Sequence, residues 1–127
     1  MAMKNKSFNN IRSYRSYTSE SASTYKANNA NVVVGSCVTI VGNETVGLGA
    51  DGDPLTGLVS VRAANGNVTV EERGVHDIET TSLLTVGLKT LVVDGTGKAK
   101  VAAGGLQCRI RATWTEGGQH FARVDLG

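Results

Sequence analysis

His76 and His120 are the only imidazoles in this chain of 127 residues, and Cys37 and Cys108 are its only thiols. Any nucleophilic dyad or soft-metal centre has to be built from these four. Their spacing argues against both, because metal ligands usually come in pairs about two to five residues apart. Asp77, next to His76, points to the opposite face if the two lie on a strand. The cysteines lack C-x-x-C spacing and are too few for a disulfide framework, so two buried, reduced thiols are expected. Glu71-Glu72 and the Asp51/Asp53 pair are the only grouped carboxylates that suggest acid–base work or calcium binding. Neither is surrounded by a ligand pattern, and solvated turn and edge charges explain both.

Two glycine-rich stretches imitate nucleotide loops. Gly47-Leu48-Gly49-Ala50-Asp51-Gly52 matches G-x-G-x-x-G, but Pro54 and Gly57 follow where a helix has to receive the pyrophosphate. Gly95-Thr96-Gly97-Lys98 resembles the end of a P-loop, yet Val92 stands where the first glycine belongs. Ala99 replaces the hydroxyl that would hold magnesium, which makes the stretch a hairpin turn. No catalytic residue, metal or cofactor can therefore be assigned, and an enzyme is not expected. Asn43-Glu44-Thr45 and Asn67-Val68-Thr69 fit the glycosylation triplet. No charged-then-apolar signal segment accompanies them, so they read as chance matches and the chain as one made in the cytoplasm. No apolar run reaches the roughly 18 residues that span a bilayer, so no membrane partner is expected.

The elements that would position these residues are strands. Hydrophobic residues make up 40% of the chain but aromatics only 5%, so the core has to be filled by Val, Leu, Ile and Ala. The 16 glycines punctuate short Val/Thr-rich runs, and there is one proline. Leu58–Arg62 and Val68–Glu71 alternate apolar and polar residues around Asn65-Gly66, a strong hairpin signal. Leu106–Thr115 and His120–Leu126 flank Gly117-Gly118 in the same way. Val32–Val41 reads as a strand bent at Gly35, Lys89–Asp94 as a strand, and Asp94–Gly97 as a tight turn into Lys98–Ala102. Val75–Thr80 alternates with Val75 and Ile78 out of phase, implying a bulge or an early end. Leu83–Leu88 is compatible with a helical turn or a strand. The expectation is an all-β fold: a small β-barrel or sandwich of about seven to eight short strands over residues 32–127, preceded by an extended N-terminal arm over residues 1–31.

The arm holds Lys4, Lys6, Arg12, Arg15 and Lys26 against Glu20, a charge of +4, while the rest of the chain carries −2. It is rich in Ser, Asn and Tyr and has no core-forming pattern. Arg12, Tyr14, Arg15, Tyr17, Tyr25 and Lys26 set flat amphipathic rings beside cations, residue types that dominate protein interfaces. They are the candidate partner-binding residues. A nucleic-acid footprint would draw on the same side chains, but the acidic body argues against direct nucleic-acid binding.

From Leu55 to Leu126 the chain resembles the capsid cement, or head decoration, proteins of tailed bacteriophages. The resemblance rests on Pro54-Leu55-Thr56-Gly57-Leu58-Val59-Ser60-Val61, then Asn65-Gly66-Asn67-Val68-Thr69-Val70, then Gly74-Val75. It closes on Leu91-Val92-Val93-Asp94-Gly95-Thr96-Gly97-Lys98-Ala99-Lys100-Val101-Ala102. The order and spacing of these motifs carry it, over just over half the chain, and neither the arm nor the Trp114 strand is covered. It implies a virion structural protein on the outer surface of the assembled capsid, where it binds the major capsid protein and stabilises contacts between neighbouring copies. It also implies a homo-oligomer, a trimer before a dimer. The alternative is a tail, fibre or surface adhesion module that binds a receptor or saccharide. Such a module needs aromatic platforms, for which the body offers Trp114 and Phe121.

Overall fold

The computed structural model describes residues 22–127, which form ten strands and no helix. They are β1 (Ala22–Ala27), β2 (Cys37–Gly42), β3 (Thr45–Gly47), β4 (Gly57–Arg62), β5 (Asn67–Glu71), β6 (Val75–Thr80), β7 (Gly87–Val93), β8 (Ala99–Val101), β9 (Leu106–Glu116) and β10 (Gln119–Asp125). The strands form two five-stranded sheets, each closed on itself. In the first barrel the order is β1-β3-β2-β4-β5 and back to β1; in the second it is β6-β8-β7-β9-β10 and back to β6.

The two barrels share one topology. In each, the first strand runs parallel to the third, and every other pairing is antiparallel. The ladders also share an irregularity: the fourth and fifth strands slip register between Val59 and Val61 in one barrel and between Ile110 and Ala112 in the other. Val59 and Ile110, immediately before the slip, are both fully buried, as are their ladder partners Val70 and Val124. Left-handed glycines repeat as well. Gly35 and Gly87, at the junction with the second strand of each barrel, both have positive φ, and each hairpin of the fourth and fifth strands also turns on a left-handed glycine, Gly66 in one and Gly118 in the other. The chain is thus a tandem structural repeat of residues 22–73 and 74–127.

Each core follows from the alternation within the strands. Val32, Val38, Val46, Val59, Val68 and Val70 fill the first barrel, with Tyr25 packed at its edge. Valine suits so narrow a barrel because it fills the interior without a long side chain that would force the strands apart. Gly57 marks the closest approach there: a Cβ at this position would run into the Glu71 carbonyl oxygen. The second core holds Ile78, Leu84, Leu91, Val93, Ala99, Cys108, Ile110, Ala122, Val124 and Leu126. It also takes in Cys37 and Leu55 from the first repeat. The loop from β3 to β4 lies on β7, with Gly52 N–H donating to Val93 O and Val93 N–H to Asp53 O (2.9 and 2.8 Å). Pro54 bridges to Val92, and Cys37 N–H donates to Gly97 O (2.9 Å).

The all-β class agrees with the sequence reading, which left barrel and sandwich open; the strands close two small barrels, and both glycine-centred hairpins stand where expected. The ten strands exceed the seven or eight anticipated because β1 is polar and β3 is only three residues long. β1 lies inside the stretch read as the arm; its Ser, Thr and Lys side chains hide a strand that pairs with β5 along Ala22–Lys26. The Val32–Val41 run is no single bent strand. Ser36 N–H donates to Val33 O (3.0 Å) and Gly35 has φ 94°, so a turn precedes β2. β6 needs no bulge, because Val75 faces solvent while Ile78 faces the core. Leu83–Val86 is a loop, anchored by buried Leu84.

Candidate partner-binding faces

The groups that might have done chemistry are each held by local partners. Asp94 organises the β7–β8 turn: its carboxylate accepts the N–H groups of Thr96 (2.7 Å) and Lys98 (3.2 Å) and the hydroxyls of Thr96 (2.8 Å) and Thr81 (2.7 Å). Burial pushes this carboxyl upward, but the four hydrogen bonds outweigh it and leave the pKa below the ordinary aspartate value. Amides that would cradle a phosphate in a P-loop are therefore already committed to a side chain, and Lys98 faces Glu79 at 3.8 Å. In the G-x-G-x-x-G stretch, Asp53 likewise accepts the Ala50 N–H (2.9 Å). Glu71 takes the Ser60 hydroxyl (2.9 Å), and Glu72 takes those of Ser23 (3.2 Å) and Tyr25. His76 Nε2 lies 2.7 Å from the Arg73 carbonyl, and His120 Nδ1 lies 2.9 Å from the Thr115 hydroxyl. Cys37 and Cys108 are free and buried; burial pushes their thiols up to about 12 and about 11, far from the reactive range. Among the described residues no group of three or more His, Cys, Asp and Glu side chains is placed to hold a metal ion.

Of the residues singled out for binding, Arg12, Tyr14, Arg15 and Tyr17 lie outside the described residues. Tyr25 and Lys26 are on β1. Lys26 is exposed, while Tyr25 is half-buried against the first core. The Tyr25 hydroxyl donates to Glu72, and this hydrogen bond, with burial behind it, pushes the phenol up to about 12. Tyr25 therefore ties β1 to the junction between the repeats, and only Lys26 of the two is free to meet a partner.

The strongest binding feature lies elsewhere, on the outer face of β6, β10 and β9. Trp114 and Phe121 are directly opposite each other in the hairpin, and their rings stack at 6.0 Å with 21° between planes. Both are half-exposed. Arg123, on the same face, lies 5.6 Å from the Trp114 ring centre and makes two hydrogen bonds to Asp77 (2.9 and 3.2 Å). The Arg123 contact, set against mild burial, holds the Asp77 carboxyl below its ordinary pKa. A flat aromatic pair beside a cation fixed in a planar fork suits a protein surface or the apolar face of a sugar ring. The Gly117-Gly118 hairpin was read from the sequence, and its two-residue turn sets Trp114 opposite Phe121. Arg123 and Asp77 were missed, because their pairing depends on β10 lying beside β6, which no local pattern encodes.

A second feature is duplicated. In the first barrel, buried Val32 is followed by exposed Val33 and Val34 and then Gly35; in the second, exposed Leu83 and buried Leu84 are followed by exposed Val86 and then Gly87. Both loops connect the first and second strands of their barrel. Val33–Ser36 also line a shallow groove of ≈ 220 Å³, whose other wall is Thr96, Gly97, Lys98 and Glu79. No protein-family model matches this chain, and no curated protein matches it either.

Proposed function

We propose that this protein is a capsid cement protein of a tailed phage, acting by binding rather than catalysis. It would sit on the outer surface of the assembled head and hold neighbouring major capsid proteins together. The observation that carries the reading is the repeated surface: two barrels of one topology present exposed apolar loops at the same place, Val33-Val34 and Leu83/Val86. Two equivalent contacts suit a target that is itself repeated, because the second contact then forms at high effective concentration. The order of hairpin motifs from Pro54 to Ala102 supports the same reading. A clamp that binds only the assembled shell stabilises it by linkage. The Trp114–Phe121–Arg123 face supplies the residue types that anchor interfaces, and Arg12, Tyr14, Arg15 and Tyr17 add cationic and aromatic contacts.

The test mixes purified chain with capsids that lack it and reads occupancy and survival on heating. Full-length protein is expected to saturate its sites and raise the temperature of capsid rupture. Trp114→Ala should weaken occupancy by about tenfold or more, the cost of truncating an interface anchor. A chain beginning at Ala22, which retains β1, measures the contribution of the preceding residues. Absence of capsid binding by the full chain refutes the reading. The stacked Trp114–Phe121 pair favours a second one, an adhesion module for a saccharide. Glycan binding lost in Trp114→Ala, without capsid binding, would establish it instead.

A further inference from the structure

We infer that the free edge of β9 is a self-association surface that pairs with β9 of a second copy. β9 is paired with β7 only from Leu106 to Ile110, while its pairing with β10 continues to Glu116. From Ala112 to Glu116, no strand among the described residues lies on its other side. Alternate residues of that stretch thus present N–H and C=O groups to the edge, the pattern that templates strand addition. In the first barrel the end of the corresponding strand, β4, is braced by Arg62, whose guanidinium donates to the loop carbonyls of Val32 (2.6 Å) and Asn29 (3.4 Å). Thr113 stands at the corresponding place in the second barrel, by the shared register of the two ladders, and carries no cation to make that brace.

The side chains along this edge complement a second copy of themselves. Two identical antiparallel strands related by a two-fold axis must place one residue opposite itself. Centring on Trp114 sets Trp114 against Trp114, Thr113 against Thr115 and Ala112 against Glu116. Aromatic and threonine pairs are among the favourable cross-strand combinations. The register slip makes Arg111 the extra residue of the ladder, and it shares the outer face with Ala112, Trp114 and Glu116. Arg111 of each copy is thereby brought beside Glu116 of the other. Both side chains are exposed, and neither is in an ion pair among the described residues. The occupant is therefore a second copy, and the product is a dimer with one sheet continuous across it and both Trp114–Phe121 faces on the same side. This association stands independently of the capsid reading.

The experiment is sedimentation equilibrium of the full chain, with Trp114 emission followed over the same concentrations. A monomer–dimer equilibrium is expected, with emission shifting to the blue on dimerisation and the dimer weakening at high salt. Arg111→Glu and Glu116→Arg each set like charges together and should raise the dissociation constant by about tenfold. The double variant Arg111→Glu/Glu116→Arg restores the cross-pairs and should return it to within about threefold of the parent. Both positions are exposed, so neither reversal threatens the fold. A monomer at all concentrations, a trimer, a dimer indifferent to the single reversals, or a double variant no better than the singles would each overturn the inference.

Discussion

Leu55 belongs to the first repeat by position in the chain, yet it is 4% exposed and packs in the core of the second barrel. Leu55→Ala removes three carbons, worth about 2.4 kcal/mol at ~0.8 kcal/mol per methylene. Incomplete collapse of the cavity raises the loss to about 3–4 kcal/mol, within the range of buried Leu→Ala changes. For a domain stabilised by about 5–15 kcal/mol, that is a large fraction, and at about 4 °C per kcal/mol it lowers Tm by about 12–16 °C. Where the loss is seen matters as much as its size. Trp114, the single tryptophan, reports on the second barrel, while far-ultraviolet circular dichroism reports on both. If the Leu55 loop and the Cys37, Pro54 and Val93 contacts lock the barrels together, urea melts followed by the two signals coincide in the parent and move together in Leu55→Ala. Val46→Ala, in the first core alone, should shift the Trp114 transition as well. Two separate steps in the parent, or a Trp114 transition that ignores Val46→Ala, would refute the interlocked core.

Alkaline pH is expected to act through Tyr25. Its folded pKa lies above the ordinary value of 10, so its contribution is complete below about pH 10 and is lost as pH rises toward about 12. Thermal melts across that window should show a decline in the parent that is smaller in Tyr25→Phe, and equal declines would show that the Glu72 hydrogen bond is not its source. The two thiols are expected to resist an aromatic disulfide reagent at pH 8 in the native protein and to react together once denatured. Rapid native reaction of either would contradict its burial in the shared core.

The parts of the fold that were legible in the sequence depend on local spacing. Asn65-Gly66 between Val-rich runs and Gly117-Gly118 between Leu106 and Leu126 gave both hairpins, since turn chemistry and alternation act over a few residues. The repeat was hidden for a physical reason: what the two barrels share is which positions point inward, and different side chains can fill them. Val32 corresponds to Leu84, Val59 to Ile110 and Val68 to Ala122. The glycines at 35/87, at the same offset as Val32 and Leu84, were the visible trace of the duplication, because a positive φ restricts the residue choice far more than a core position does. The Val32–Val41 run was misread for the opposite reason. Three consecutive valines suggest a strand, but the left-handed Gly35 turns the chain and leaves Val33 and Val34 at the surface.

A duplicated fold carries its own internal comparison, and where the two copies differ marks what the second was adapted to do. Both copies keep the closed barrel, the register slip and the apolar loop between their first two strands. The copies part at the hairpin of the fourth and fifth strands. In the first, β4 ends at Arg62, whose guanidinium donates to the Val32 and Asn29 loop carbonyls. In the second, β9 runs on to Glu116 and carries Trp114 outward with Phe121 and Arg123, leaving its edge uncapped. Extending a strand past its neighbours exposes its edge backbone groups and any aromatic surface it carries, and β9 does so over a longer stretch than β4. The aromatic face and the free edge lie at right angles on one element, so the partner contact and the strand pairing proposed above draw on its side chains and its backbone respectively, with Trp114 common to both.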